Sequence, residues 1–262
     1  MKVLGIIPAR YASTRFPGKP LALLAGKPMV QWVYERASQS ELLSEVVVAT
    51  DDQRIFDAVK KFGGRVVMTR SDHPSGSDRI AEVAAKSDAE IIANIQGDEP
   101  LIEPAAIDLG VKILLDNPTA QVGTLVRPIR DAVDLRNPNV VKVALAQDGT
   151  ALYFSRSAIP FCRGLRRDLG ELGRAAQSSR AQTDAEWLQQ HTYFKHIGLY
   201  IFRRDMLLQF VKWPLGVLER VESLEQLCLL EHGVKIHVAV TEYEARGVDT
   251  EEDWDALMKE VL

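Results

Sequence analysis

The stretch Val3-Leu4-Gly5-Ile6-Ile7-Pro8-Ala9 runs into Arg10-Tyr11-Ala12-Ser13-Thr14-Arg15-Phe16-Pro17-Gly18-Lys19-Pro20, and the join between the two halves decides the fold. The apolar run from Val3 to Pro8 has the length of a strand, is continuous rather than alternating, and is too short to span a bilayer. Such a run reads as a strand covered on both faces, as in a parallel sheet flanked by helices. The second half contains three cations and no acid. It leaves the carboxyl end of that strand, where open α/β sheets place their ligands. Two guanidinium forks and one ammonium suit a triphosphate, Ser13 and Thr14 add hydroxyl donors, and Gly18 permits close backbone approach. The spacing matches neither G-x-x-x-x-G-K-[ST] nor G-x-G-x-x-G, which weighs against a P-loop NTPase and an ordinary dinucleotide binder.

Working outward, β-branched runs alternate with helical patterns through the first half of the chain. Strands are expected at Val3–Ile7, Glu45–Thr50, Arg65–Met68 and Glu90–Ile95. Helices are expected from Pro28 to about Ser40, from Asp51-Asp52 to Gly63-Gly64, from about Gly76 to Lys86, and from Pro104 to about Asn117. This is the signature of βαβ units. Beyond residue 120 the strands at Val122–Arg127, Val140–Leu145, Ala151–Ser155 and Ile197–Phe202 have fewer helices between them, which predicts an antiparallel lobe. An amphipathic helix is expected over Leu218–Glu231, a strand over Lys235–Val240 and a terminal helix over Thr250–Val261. Residues 163–190 are polar with little apolar periodicity and read as a long insertion, either a surface loop or a lid or subunit contact. The fold class is therefore α/β, with a mainly parallel central sheet and a smaller antiparallel lobe.

Across 262 residues there are 32 Lys+Arg against 36 Asp+Glu, a net charge of −4, so a polyanion coat or polybasic membrane binder is not expected. The distribution is uneven. Met1 to Tyr34 hold five cations and no acid, leaving 27 cations against 36 acids in the rest. With 46% hydrophobic and 26% charged residues the chain can bury a full core, and one domain over 1–262 is expected. Two cysteines, Cys162 and Cys228, make no disulfide framework. With no apolar stretch of membrane-spanning length, they point to a cytoplasmic protein.

Three further groups of residues carry chemistry. Asp98 follows the Glu90–Ile95 strand and should stand at the same sheet edge as the basic loop; it is either a turn residue or a hard oxygen ligand for Mg²⁺. Asp249 is either a metal ligand or the start of the terminal helix, since Thr250-Glu251-Glu252-Asp253 resembles a capping sequence. Ser75-Gly76-Ser77-Asp78-Arg79 is a helix cap that could also present backbone N–H groups and an arginine to a base or ribose. Gln96, Arg156, His196, Glu225 and Gln226 carry amide, guanidinium, imidazole and carboxylate groups that can hydrogen-bond a ligand. Each also has a structural reading, His196 as a core histidine and Glu219, Glu222 and Glu225 as one solvated helix face.

The run Ile6 to Leu21 resembles the opening of 3-deoxy-manno-octulosonate (Kdo) cytidylyltransferases. So do Ala49-Thr50-Asp51, Met68 to His73, Gln96-Gly97-Asp98-Glu99-Pro100, Asn137-Pro138-Asn139 and Tyr153-Phe154-Ser155-Arg156. The resemblance continues through His196-Ile197-Gly198, Leu224-Glu225-Gln226-Leu227 and Gly247-Val248-Asp249-Thr250. It implies a three-layer, Rossmann-like nucleotidyltransferase that joins CTP to Kdo, releases pyrophosphate and supports lipopolysaccharide synthesis. By the same resemblance Arg10, Lys19 and Asp98 are catalytic, and Arg10, Arg15, Lys19, Ser75 and Arg79 bind nucleotide. Gln96, Arg156, His196, Glu225 and Gln226 bind the sugar, Asp98 and Asp249 hold Mg²⁺, and the protein is a homodimer with no nucleic-acid partner and no membrane insertion. The segment at 163–190 is longer than the family's usual connection, and Ser-Gly-Ser-Asp-Arg stands where the family has Ser-Gly-Thr-Glu-Arg. The alternatives are a related enzyme with another acceptor and a catalytically silent CTP- or sugar-binding regulator.

Overall fold

The computed structural model describes residues 1–12, 16–161, 188–189, 191–248 and 250–261. Arg15, Asp249, Cys162 and almost all of the expected insertion at 163–190 lie outside them. The first half runs β1 (Val3–Ala9), β2 (Leu23–Leu24), β3 (Lys27–Pro28), α1 (Met29–Ala37), β4 (Glu45–Thr50), α2 (Gln53–Lys61), β5 (Val66–Met68), α3 (Gly76–Ala85), β6 (Ile91–Asn94) and α4 (Pro104–Asp116). There follow β7 (Val122–Pro128), α5 (Ala132–Arg136), β8 (Lys142–Leu145), β9 (Ala151–Ser155) and β10 (Phe194–Arg203). Helices Arg204–Phe210, Val217–Glu222 and Gln226–Glu231, strand β11 (Ile236–Val240) and helix Glu251–Val261 complete the described chain.

The chain divides into two compact units. The first comprises Met1–Thr124, Gly198–Trp213 and Tyr243–Leu262. Its sheet has the order β10-β6-β1-β4-β5. β1 pairs in parallel with β4 (Ile6↔Val47) and with β6 (Gly5↔Ala93), β5 extends β4 (Ala49↔Val67), and β10 pairs antiparallel with β6 (Ile201↔Ala93). Val3, Leu4, Ile6, Ile7, Ile91 and Ile92 are all buried, so both faces of the central strands are covered, as the unbroken apolar runs predict. Helix boundaries follow local chemistry. The Asp52 carboxylate accepts from Arg54 N to start α2, Ser75 Oγ accepts from Asp78 N to start α3, and Pro104 opens α4, where its missing N–H costs nothing.

The second unit comprises Leu125–Ile197 and Pro214–Glu242. Here β8 pairs antiparallel with β9 (Val143↔Phe154) and with the start of β10 (Phe194↔Val143). A small core of Ile129, Leu135 and Tyr193 is completed by Val140, Ala158 and Leu188. The mainly parallel sheet and the smaller antiparallel one agree with the expected fold class.

One expectation needs correction. The helix predicted over Leu218–Glu231 is two helices, Val217–Glu222 and Gln226–Glu231, because Ser223 adopts a left-handed conformation with φ 53° that stops the first. The solvated acidic face fails with it, since Glu222 accepts from Ser155 Oγ and Arg156 N. The helices Ala132–Arg136 and Arg204–Phe210 were not anticipated, being five and seven residues long. Among the described residues no helix is long and apolar enough to cross a membrane.

Candidate active site

In the first unit the loops that leave β1 and β6 meet at one sheet edge. A Cβ on Gly97 would lie 2.7 Å from Pro8 O, so the turn after β6 lies directly on the end of β1. On the β1 side, Gly18 N donates to Tyr11 O at 3.0 Å and closes the basic loop, with Gly18 in the left-handed region at φ 73°. The Arg54 guanidinium lies over the Tyr11 ring at 3.3 Å and is itself oriented by two hydrogen bonds to the Asp52 carboxylate.

Lys19 starts the turn that follows Gly18, and its ammonium donates to Asp98 Oδ2 at 2.9 Å and to Val248 O at 2.7 Å. Val248 N in turn donates to Asp98 O at 2.9 Å. Arg10 reaches the other way: its Nη2 donates to His73 O and Ser75 O, both at 2.7 Å. Burial lowers the Arg10 pKa, and the neighbouring charge of Arg79 adds to this, while Asp51 and Asp78 oppose it. Ser75 Oγ is spent on α3, accepting from Asp78 N and donating to its carboxylate. Arg79 has 0% exposure; it pairs with Asp51 at 2.8 Å and donates to Thr69 Oγ1 and Arg70 O. It therefore braces the 69–79 loop from within, so that Arg10 and Lys19 are the described loop cations at the surface of this edge.

The turn after β6 is fastened on both sides. Gln96 Nε2 donates to Gly198 O at 2.9 Å, and the Tyr243 hydroxyl donates to the buried Glu99 carboxylate at 3.1 Å. Burial, aided by the charge of Asp98, pushes the Glu99 pKa up to about 7, against the opposing effect of the Tyr243 hydrogen bond. Burial and then Glu99 raise that of Tyr243.

The second unit holds the other predicted residues. Arg156 follows β9, and its Nε, Nη1 and Nη2 donate to the carbonyls of Glu222, Pro138 and Ser223. His196 stacks edge-on against Phe154 at 5.2 Å; its residue keeps some surface, but its imidazole is densely enclosed, and burial pushes its pKa down to about 3. Gln226 is buried at the start of its helix, and Glu225 precedes it. Lys142, fully buried, donates to the carbonyls of Asn137, Val140 and Arg156 at 2.6 to 2.9 Å.

The structure thus brings Arg10, Lys19, Ser75, Arg79, Gln96 and Asp98 together in the first unit and Arg156, His196, Glu225 and Gln226 in the second. The sequence reading missed Lys142, Glu99 and Tyr243. A lone cation in the apolar run Val140-Val141-Lys142-Val143 was a usable signal for the first. Tyr243 had none, since it sits in an irregular segment.

The cytidylyltransferase family model matches residues 4–236. A 3-deoxy-manno-octulosonate cytidylyltransferase of Geobacter sulfurreducens is 52% identical over 261 residues, covering 100% of both chains. One of Solibacter usitatus is 50% identical, covering 98% of this chain and 94% of its own. A solved structure of CMP:2-keto-3-deoxy-manno-octonic acid synthetase in complex with CTP superposes with a TM-score of 0.87 at 41% identity, covering 100% of both chains.

Proposed function

We propose that this chain, which belongs to the cytidylyltransferase family, joins CTP to Kdo, giving CMP-Kdo and pyrophosphate for lipopolysaccharide synthesis. The observation that carries this reading is the convergence of Lys19, Asp98 and Val248 O at the edge where Arg10 begins the basic loop. Two cations on one loop suit a triphosphate, and the names of the full-length relatives supply the sugar.

The reaction is an in-line displacement. The C2 hydroxyl oxygen of Kdo bonds to the α-phosphorus as the bridging bond to the β-phosphate breaks, the hydroxyl proton goes to solvent and pyrophosphate leaves. Arg10 and Lys19 offset the phosphate charge and fix its position, so that most of the rate comes from alignment and electrostatics rather than from covalent chemistry. On the sugar side, three of the five Arg156 N–H groups donate to backbone carbonyls among the described residues, which hold the guanidinium as the partner for the Kdo carboxylate. His196, held neutral by its surroundings, serves a sugar hydroxyl, as do Gln96, Glu225 and Gln226. Ser75 and Arg79 serve the nucleotide by shaping the loop that Arg10 grips, with Arg15 a further phosphate cation from outside the described residues.

The residues fit magnesium. Asp98 Oδ1 receives no hydrogen bond among the described residues, and a hard oxygen of this kind plus phosphate oxygens is what Mg²⁺ takes. Asp249, beyond the described residues, directly follows Val248 in sequence and is the second ligand in this reading. When bound, the ion supplies positive charge against the phosphate oxygens. We also place the protein in the cytoplasm with its CTP, as a homodimer. Helix Val217–Glu222 buries none of its residues, and Val217 and Val221 are 68% and 78% exposed, an apolar surface suited to a second copy.

The test is pyrophosphate release from CTP and Kdo with Mg²⁺, with other ulosonates and other nucleoside triphosphates in parallel. Turnover with Kdo that is lost on chelation and in Asp98→Asn is the expected result. Turnover only with another 2-keto acid sinks the acceptor, and binding of CTP without turnover sinks the enzyme reading in favour of a regulator.

A further inference from the structure

Residues 241–248 form neither helix nor strand, yet they carry the Val248 carbonyl that receives Lys19. A backbone without a ladder takes its register from the points where it is fastened. The downstream end is fastened by burial: Val248 packs with Leu24, Met29 and Leu257, and its N–H donates to Asp98 O. Further upstream, one of its fastenings is Tyr243, a buried ring whose hydroxyl donates to Glu99 Oε2 at 3.1 Å. Glu99 belongs to the same turn as Asp98, closed by Glu99 N donating to Gln96 O. One irregular segment therefore grips one turn twice, at Asp98 through its main chain and at Glu99 through a side chain.

The geometry points to Tyr243 as a positioning residue for the transfer reaction: its hydroxyl on Glu99 holds the 96–99 turn against the 243–248 segment, and with it the place of Asp98 Oδ2 opposite the Lys19 ammonium. This rests on the reading of Lys19 as a cation that acts on the phosphates. No proton is transferred in the role, and Tyr243 touches no reacting atom. Without the hydroxyl, Tyr243 keeps its apolar packing but the Glu99 carboxyl loses its partner, and the turn that carries Asp98 shifts against the Lys19 ammonium while Val248 stays seated in its core. A displacement approaching 1 Å at a group that must face a phosphate costs about 10²-fold in rate.

The test uses the full chain. Tyr243→Phe is expected to lower kcat roughly 10- to 100-fold while the melting midpoint stays near wild type and KM for Kdo moves less than about threefold. Glu99→Gln keeps an acceptor for the hydroxyl and is expected to retain most of the rate, whereas Glu99→Leu falls with Tyr243→Phe. A double-mutant cycle separates positioning from general packing: in a Lys19→Arg background, Tyr243→Phe should cost no more than about threefold further, because the lysine that Asp98 is held against is gone. Additive losses, or a Tyr243→Phe rate within about twofold of wild type, overturn the inference. If Lys19→Arg itself leaves the rate unchanged, the reading of Lys19 fails instead, whatever Tyr243 does.

Discussion

Replacing Gly97 by alanine adds one methyl group at the point where the loops after β1 and β6 touch. The added Cβ would lie 2.7 Å from Pro8 O, a backbone atom that cannot rotate aside. Ordinary contact begins at 3.4 Å, so the two loops must part by about 0.7 Å. The Gly97 backbone is not in the left-handed region, so alanine meets no conformational penalty there and the effect is steric alone. Overpacking of this kind costs about 1–3 kcal/mol, which for a chain of this length lowers the melting midpoint by roughly 2–10 °C. The shift also carries Asp98 away from Lys19, and at most of an ångström it should lower kcat roughly 10- to 100-fold. Thermal unfolding and pyrophosphate release on the same preparation read both effects. Gly247→Ala is the control, since a Cβ there meets nothing within 4 Å, and its midpoint should stay within about 2 °C of wild type. A Gly97→Ala protein that melts and turns over like wild type would refute the reasoning, because the two loops would then not be fixed against each other.

Two further outcomes follow from the loop that Arg10 grips. Arg79→Met leaves Asp51 without its buried partner and should cost about 3–5 kcal/mol in denaturant unfolding, with a raised KM for CTP; a loss below about 1 kcal/mol contradicts the bracing role. Glu82 is held down to about 2 by hydrogen bonds from Lys86, from Arg70 N and from His73. Its contribution is therefore complete above its ordinary pKa of 4.5 and is lost as pH falls from there towards 2. After screening at the exposed Lys86 this amounts to on the order of 1–2 kcal/mol, and Glu82→Gln should flatten the loss; equal acid sensitivity in urea unfolding of the two proteins would exclude it.

Much of the first unit was legible because its signals are local or periodic. Val46-Val47-Val48 and Ile91-Ile92 announce strands that are covered on both faces, and Asp52 and Ser75 announce the helices they cap. The acid-free run to Tyr34 announces a cationic loop by its composition alone. What escaped depends on long-range or atypical backbone. The hairpin of β2 and β3 turns through Ala25 and Gly26, both with positive φ, and alanine gives no warning of that conformation. Ser223 splits a helix by the same kind of exception. Arg79 could be read as a ligand-facing arginine because burial is invisible in sequence; only its pairing with Asp51, 28 residues away, shows that it faces inward. Tyr243 and Glu99 are 144 residues apart, and no pattern links them.

The way the cations are held bears on the charge distribution with which the sequence begins. Arg10 is fixed by two carbonyls, Arg156 by three, and Lys142 by three, while Lys19 donates to a carboxylate as well as to a carbonyl. A carboxylate partner fixes a cation and also cancels it. A carbonyl fixes it nearly as well and leaves the unit charge in place, because the field of a dipole falls away faster than that of the cation it orients. For a protein that must take up a triphosphate and an acidic sugar, uncancelled positive charge in rigid positions is the useful arrangement. Paired carboxylates at Arg10 and Arg156 would give equal rigidity with little field. The exception is informative: the acid on Lys19 is Asp98, which is the metal ligand in this reading, so a bound dication would draw the carboxylate towards itself and return the charge of Lys19 to the phosphates.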